Sequence, residues 1–109
     1  MNGTMEVECI NIAKVILPAV RVSIAEQLSS KYKMKQKDIA AKIGIAQVAV
    51  SKYLSGGYSR KVGRAVGKIR ATGIIDNAAE EIAKADNAAA IRAVVNRVCS
   101  KVAYDKLVD

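Results

Sequence analysis

The sequence contains no His, no Phe and no Trp, and only one of its 109 residues is Pro. His is the commonest general base and metal ligand, so its absence argues against hydrolytic and metal-dependent enzymes. Aromatic residues make up only 4% of a chain that is 51% hydrophobic, which predicts an aliphatic core. Scarce Pro and Gly favour helices over a turn-rich β-sandwich. The length fits a single domain, residues 1–109, which we expect not to be an enzyme.

Cysteine is also scarce, because Cys9 and Cys99 are the only two and lie far apart in the sequence. No C-x-x-C motif exists for a zinc site or a thioredoxin-like site, so we predict no metal and no cofactor. Two interpretations of the cysteines remain open. They are small buried hydrophobic side chains, or they form a disulfide or redox pair, which is unusual in the cytosol outside hyperthermophiles.

Long apolar runs are absent as well. No stretch reaches the roughly 18 consecutive apolar residues of a membrane span. Residues 1–9 carry Glu6 and Glu8 instead of the basic region of a secretory signal. We therefore expect a cytoplasmic protein with no membrane partner.

The positive charge is concentrated in one part of the chain. The formal net charge is +8, and residues 31–70 contain eleven basic residues and a single acid, Asp38. The flanking segments, residues 1–30 and 71–109, each contain one more acid than base. A solvated helix face normally interleaves both signs. The central block therefore indicates a binding surface for a polyanion, with nucleic acid the first candidate and an anionic membrane the second.

Apolar residues recur at helical spacing along the whole chain, and no alternation typical of a strand is present. The fold class predicted is all-α. Pro18 either kinks one long helix or begins a second one, and Gly44 and Gly73 are expected to end helices. The predicted helices span residues 6–17 (with Thr4 as N-cap), 19–32, 36–43, 47–54, 60–71, 74–85 and 88–107.

The most informative segment is residues 36–54, QKDIAAKIGIAQVAVSKYL. Two short helices that cross steeply over a tight turn at Gly44 need a small side chain where they touch, and Ala40 opposite Val50 meets this need. The same spacing leaves one face of the second helix pointing outward. Its polar side chains have the donors and acceptors that read base edges in a major groove. That outward face consists of Gln47, Val48, Ser51 and Lys52.

This segment resembles the helix-turn-helix of the lambda-repressor/Cro-like (XRE-type) family. The residues that carry the resemblance are Gln36, Ala40, Gly44, Ile45, Val50 and the SKYLSG run at 51–56. Over residues 5–58, including ILPAVRVSIAEQL at 16–28, the chain is similar to small archaeal predicted transcriptional regulators. The resemblance implies a lambda-repressor-like five-helix core, here with additional N- and C-terminal helices. The family usually has Ser or Thr before each motif helix, where this sequence has Lys35 and Ala46.

The resemblance implies a sequence-specific, double-stranded DNA-binding transcriptional regulator, with residues 47–54 in the major groove. It assigns phosphate bracing to Gln36, and base or phosphate contacts to the outward face of the second helix. After the motif, Arg60, Arg64 and Lys68 form a basic stripe, with Lys61 beside it. This stripe is expected to clamp phosphates. Tyr58 either contacts a phosphate or anchors the surface. The predicted DNA-binding residues are Gln36, Lys37, Gln47, Val48, Ser51, Lys52, Tyr58, Arg60, Lys61 and Arg64.

Regulators of this kind bind two half-sites as dimers, so we expect a homodimer. The terminal helices, residues 5–17 and 88–107, carry more apolar residues than a one-sided surface helix needs, and we predict that they form the dimer contact. The residues concerned are Ile10, Ile12, Val15 and Ile16, with Ile91, Val94, Val95, Val98 and Val102. No small-molecule effector is evident from the sequence.

Other functions remain open at this point. A repressor-like fold also serves as an adaptor or an antitoxin-like protein-interaction module, and the same surface helices suit either role. RNA binding is a weaker alternative, because the only aromatic residues available for base stacking are four tyrosines.

Overall fold

The computed structural model describes residues 12–105, which form one π-helical segment followed by six α-helices. Within this range no β-strand is present, so the all-α prediction is confirmed. The π-helical segment is Ile12–Ile16. The helices are α1 (Leu17–Ser30), α2 (Gln36–Ile43), α3 (Gln47–Ser55), α4 (Arg60–Thr72), α5 (Ile74–Lys84) and α6 (Ala88–Tyr104).

Pro18 lies where α1 begins, and the backbone is already helical at the preceding Ile16, with φ of −67° and ψ of −50°. The proline lies in the first turn of α1, directly after the π-helical segment. Proline is tolerated there because the first-turn N–H groups have no partner within the helix. The predicted N-cap Thr4, most of the predicted helix over residues 6–17, and the end of the predicted last helix lie outside the described residues.

Helix α1 is the centre of the fold, since it contacts each of the other five helices. Its buried residues lie on almost every side of the helix, as expected for a helix surrounded by protein. They are Ala19, Val20, Val22, Ser23, Ile24, Ala25 and Leu28. The one polar member, Ser23, donates a hydrogen bond of 2.8 Å to the carbonyl oxygen of Ala19, which satisfies its hydroxyl without another side chain.

Helix α6 contributes its valine stripe to this same core. Val94, Val98 and Val102 are buried within a single chain, because α6 packs against α1, α2, α5 and the π-helical segment. Val15 and Ile16 are buried too. These side chains are therefore core and not the spare apolar surface that was predicted, whereas Val95 is half-buried. A dimer contact through the terminal helices stays a prediction. Ile10 and the side chain of Ile12 lie outside the description.

The Cys99 side chain is part of the core, with 6% of its surface exposed. Burial raises the pKa of its thiol to about 11, against a smaller opposite effect of the nearby Arg21 charge. The interpretation as a small buried hydrophobic residue holds for Cys99, whereas Cys9 is not described. No helix within residues 12–105 is long and apolar enough to cross a bilayer.

Candidate nucleic-acid interface

Helices α2 and α3, hereafter the helix pair, are joined by a turn of three residues. Gly44 adopts the left-handed conformation, with φ of 71°, and its N–H donates to the Ala40 carbonyl. The N–H of Ile45 donates to the same carbonyl at 3.0 Å. These two bonds end α2 sharply and turn the chain into α3, as the glycine predicted.

Ala40 and Val50 lie on the buried side of the helix pair. Both side chains are buried, with Ala40 6% exposed and Val50 fully covered. The apolar residues around them, Ile43, Ile45, Tyr53 and Leu54, are half-buried and pack against the core, and Ile39 is part of it. The inward face of the helix pair thus matches the residues that the spacing indicates.

The outward face of α3 is open to solvent. Gln47, Ser51 and Lys52 are exposed, and none of these side chains has a hydrogen bond or an ion pair within the described chain. Val48 lies beside them and is 65% exposed, one of two large apolar side chains left so open among the described residues. The face therefore offers an amide, a hydroxyl, an ammonium group and an apolar contact to a ligand.

The two helices of the pair begin without side-chain caps. Lys35 and Ala46 occupy the N-cap positions and accept no side-chain hydrogen bond, as the sequence predicts. Two of the other four helices are capped, since the Ser59 hydroxyl accepts from the Val62 N–H at 3.2 Å and Asn87 caps α6, whereas α1 and α5 also begin without a side-chain cap. In each helix the third N–H, of Asp38 or Ala49, donates to the carbonyl of the N-cap residue. The N–H groups of the first two residues of α2 and α3 have no acceptor within residues 12–105 and remain available to one from outside. Such amides are suited to phosphate oxygens.

Helix α4, which follows the helix pair in the chain, carries a basic stripe. Arg60, Lys61 and Arg64 are exposed, and their side chains have no partner within residues 12–105. Val62, Val66 and Ile69, on the opposite side of α4, are buried in the core. The packing of α4 thus fixes the direction of the stripe.

Not every basic residue of the central block is available. The Arg70 guanidinium pairs with Glu26 at 2.7 Å, and that hydrogen bond raises the pKa of Arg70. The Lys42 ammonium donates to the carbonyl oxygens of Ala83 and Ala85, at 3.2 and 2.7 Å, and so binds the end of α5. Both side chains are engaged by contacts within the fold and are therefore less available to a ligand.

Tyr58 behaves as the anchoring alternative describes. It is half-buried and packs against the core, with its ring against Gly63 of α4. A phosphate contact by Tyr58 stays a prediction.

Sequence reasoning missed two lysines in the linker before α2. Lys33 and Lys35 are exposed and have no polar partner in the described part of the chain, whereas the intervening Met34 packs against the core. The alternation of Lys with Tyr32 and Met34 was the available signal, since it predicts a segment with one buried and one solvated side. The remaining predicted residues, Gln36 and Lys37, are also exposed on the first turn of α2.

Three acids of the C-terminal segment form ion pairs with basic side chains of α5 and α6. Glu80 pairs with Lys84 at 3.0 Å, Glu81 pairs with Arg97, and Asp105 pairs with Lys101 at 3.2 Å. The described residues contain no group of three potential metal ligands.

Comparison of the chain with models of known families, with curated proteins and with solved structures finds no match.

Proposed function

We propose that this protein is a sequence-specific DNA-binding regulator with a lambda-repressor-like fold. The helix pair is its helix-turn-helix, and α3 is the recognition helix that enters the major groove. The observation that carries the proposal is the outward face of α3. The side chains of Gln47, Ser51 and Lys52 have no partner in the described part of the chain, and they lie in a block of the sequence with a single acid.

The chemistry of each residue sets its role. An amide such as that of Gln47 donates and accepts in the pattern that adenine presents, and an apolar side chain such as Val48 suits a thymine methyl group. The uncapped N-termini of the helix pair and the basic stripe of α4 hold phosphates, which fixes the orientation of the protein without reading sequence.

Binding as a homodimer is part of the proposal, because one α3 reads one half-site and such proteins read two, about one helical turn apart. The buried valine stripe of α6 does not form the interface. Tyr104, which is 84% exposed at the end of α6, marks the apolar surface that remains there. Sedimentation of the complex with a palindromic duplex should give a mass of two chains.

Selection of bound duplexes from a random pool tests the function and supplies the site for quantitative work. We expect Gln47→Ala and Ser51→Ala each to cost about 1–3 kcal/mol at the selected site and to relax the sequence preference. Arg64→Ala should weaken binding to all duplexes alike and reduce the slope of affinity against salt by about one unit.

Lys101→Ala is the matched control, since it removes one exposed charge near the end of α6, outside residues 31–70. It should leave affinity and preference unchanged. If the pool yields no enriched sequence, the protein is not a sequence-specific DNA-binding protein. If the Gln47 and Ser51 variants select the parent's sites with the parent's affinity, α3 is not the reading helix.

A further inference from the structure

Three clefts between the helices differ in the charges that line them. The cleft between α2 and the start of α6 contains Asp38 and Asp86 as well as Lys42. The cleft between α1 and α4 contains the ion pair of Glu26 with Arg70. The third cleft, between α1, α2 and α6, contains basic and neutral residues only.

This third cleft, hereafter the α1–α6 crevice, has a volume of about 140 Å³. Its apolar wall is made by residues from all three helices, and two arginines and an amide complete the lining. The wall consists of Leu17, Ile24, Ile43, Ile91 and Val95, and the polar residues are Arg21, Arg92 and Asn96.

The polar residues of the crevice have no partner within residues 12–105. Neither arginine forms an ion pair, and the Asn96 amide forms no hydrogen bond, anywhere within residues 12–105. Two other arginines of the fold form ion pairs, Arg70 with Glu26 and Arg97 with Glu81, whereas Arg60 and Arg64 form none within the described residues. Two guanidinium groups line this one small crevice with no acid among its lining residues, so both attract an anion that binds there.

The size and the wall define the rest of the ligand. Apolar cavities of about 150 Å³ hold a molecule the size of benzene, whereas drug-sized ligands need roughly 300 Å³ or more. Guanidinium groups bind carboxylates through paired, charge-assisted hydrogen bonds. We infer that the α1–α6 crevice binds a small carboxylate with a compact apolar body, such as an aromatic or branched aliphatic acid.

The crevice also touches the helix pair. Ile43 is the last residue of α2 and directly precedes the turn at Gly44. A ligand that packs against Ile43 therefore bears on the position of α3. An effect of the ligand on duplex binding rests on the proposed function, whereas binding of the ligand itself does not.

Benzoate is the probe, and methyl NMR of the full chain without DNA is the measurement. Sodium benzoate should shift the methyl signals of Ile43, Ile91 and Val95 in a saturable way, and leave that of Ile69, in the core on α4, in place. Benzamide, which has the same shape without the charge, and sodium chloride at equal ionic strength should not produce these shifts. Equal binding of benzamide, or shifts spread over all methyl signals, overturns the inference.

Two variants on α6 separate the crevice from general surface charge. Arg92→Gln should weaken benzoate binding about tenfold, because one charge-assisted pair is lost. Arg97→Gln removes the same charge from the same helix but lies outside the crevice, and it should bind benzoate as the parent does. Both residues are exposed, so neither change disturbs the core. Parental binding by Arg92→Gln overturns the inference.

Duplex binding with and without benzoate then tests the coupling. A change in affinity that Arg92→Gln abolishes supports regulation through the crevice. Unchanged duplex affinity at saturating benzoate overturns regulation and leaves the binding site standing. Failure of the duplex selection is visible independently, because the NMR titration contains no DNA.

Discussion

The conformation of Gly44 leads to a comparison between two identical substitutions. An added methyl group would meet no atom within 4 Å at Gly44 or at Gly67. The two glycines differ in backbone conformation, because Gly44 has φ of 71° and Gly67 lies in the interior of α4. Replacement of each by Ala therefore isolates the effect of the backbone from that of packing.

The two changes should shift stability in opposite directions. An L-residue in the left-handed conformation costs about 1–2 kcal/mol, so Gly44→Ala should lower the free energy of unfolding by that amount. In a helix interior, Ala is more favourable than Gly by about 1 kcal/mol in helix propensity. Gly67→Ala should therefore raise the free energy of unfolding. For a domain of this size each kcal/mol moves Tm by roughly 4–8 °C.

Guanidinium unfolding followed by far-UV circular dichroism measures both variants. The slope of the unfolding free energy against denaturant concentration should be the same for both variants and the parent. An equal slope shows that unfolding exposes the same surface area in all three proteins. Gly56→Ala, with φ of 81° and open space around the glycine, should repeat the result of Gly44→Ala. Our reasoning is refuted if Gly44→Ala is as stable as the parent or if Gly67→Ala is less stable.

Three further outcomes follow from burial. Ala40→Leu should cost about 1–3 kcal/mol of unfolding free energy by overpacking the contact between α2 and α3, whereas Ala41→Leu, on the exposed side, should change it by less than about 0.5 kcal/mol. Val98→Asp should unfold the chain, because it buries an unpaired carboxylate, and a folded monomer by circular dichroism and sedimentation would contradict this. In a Cys9→Ser background, Cys99 should react with a disulfide reagent at pH 8 about 100-fold more slowly than in denaturant, because thiolate is scarce. The rate should rise with pH up to the pKa of about 11, and equal rates in the two conditions would show that the thiol is not buried.

The helix pair could be read from the sequence because its determinants are local. Gly44 ends α2, and Gly56 ends α3 in the left-handed conformation with φ of 81°. Spacing alone then separates the buried Ala40 and Val50 from the exposed face of α3. The absence of side-chain caps on α2 and α3 was equally predictable, because Lys35 and Ala46 have no side-chain acceptor.

The fate of the α6 stripe could not be read in this way. Periodicity shows that Val94, Val98 and Val102 share a face, but it does not show whether that face meets the same chain or a second one. The partners of Lys42 and Arg70 were hidden for the same reason. The Ala83 carbonyl and the Glu26 carboxylate lie more than forty positions away in sequence. The α1–α6 crevice likewise depends on three helices that only the tertiary fold brings together.

Because α2 and α3 lack caps, the free protein is less stable than the same chain with capping residues at these two positions. A Ser or Asn in place of Lys35 or Ala46 would add about 0.5–2 kcal/mol at each position. The added hydroxyl or amide oxygen would also occupy the first-turn N–H groups that we assign to phosphates. Under the proposed function, stability and affinity compete for the same few backbone donors, so a chain optimised for heat resistance at these two positions would hold DNA less tightly.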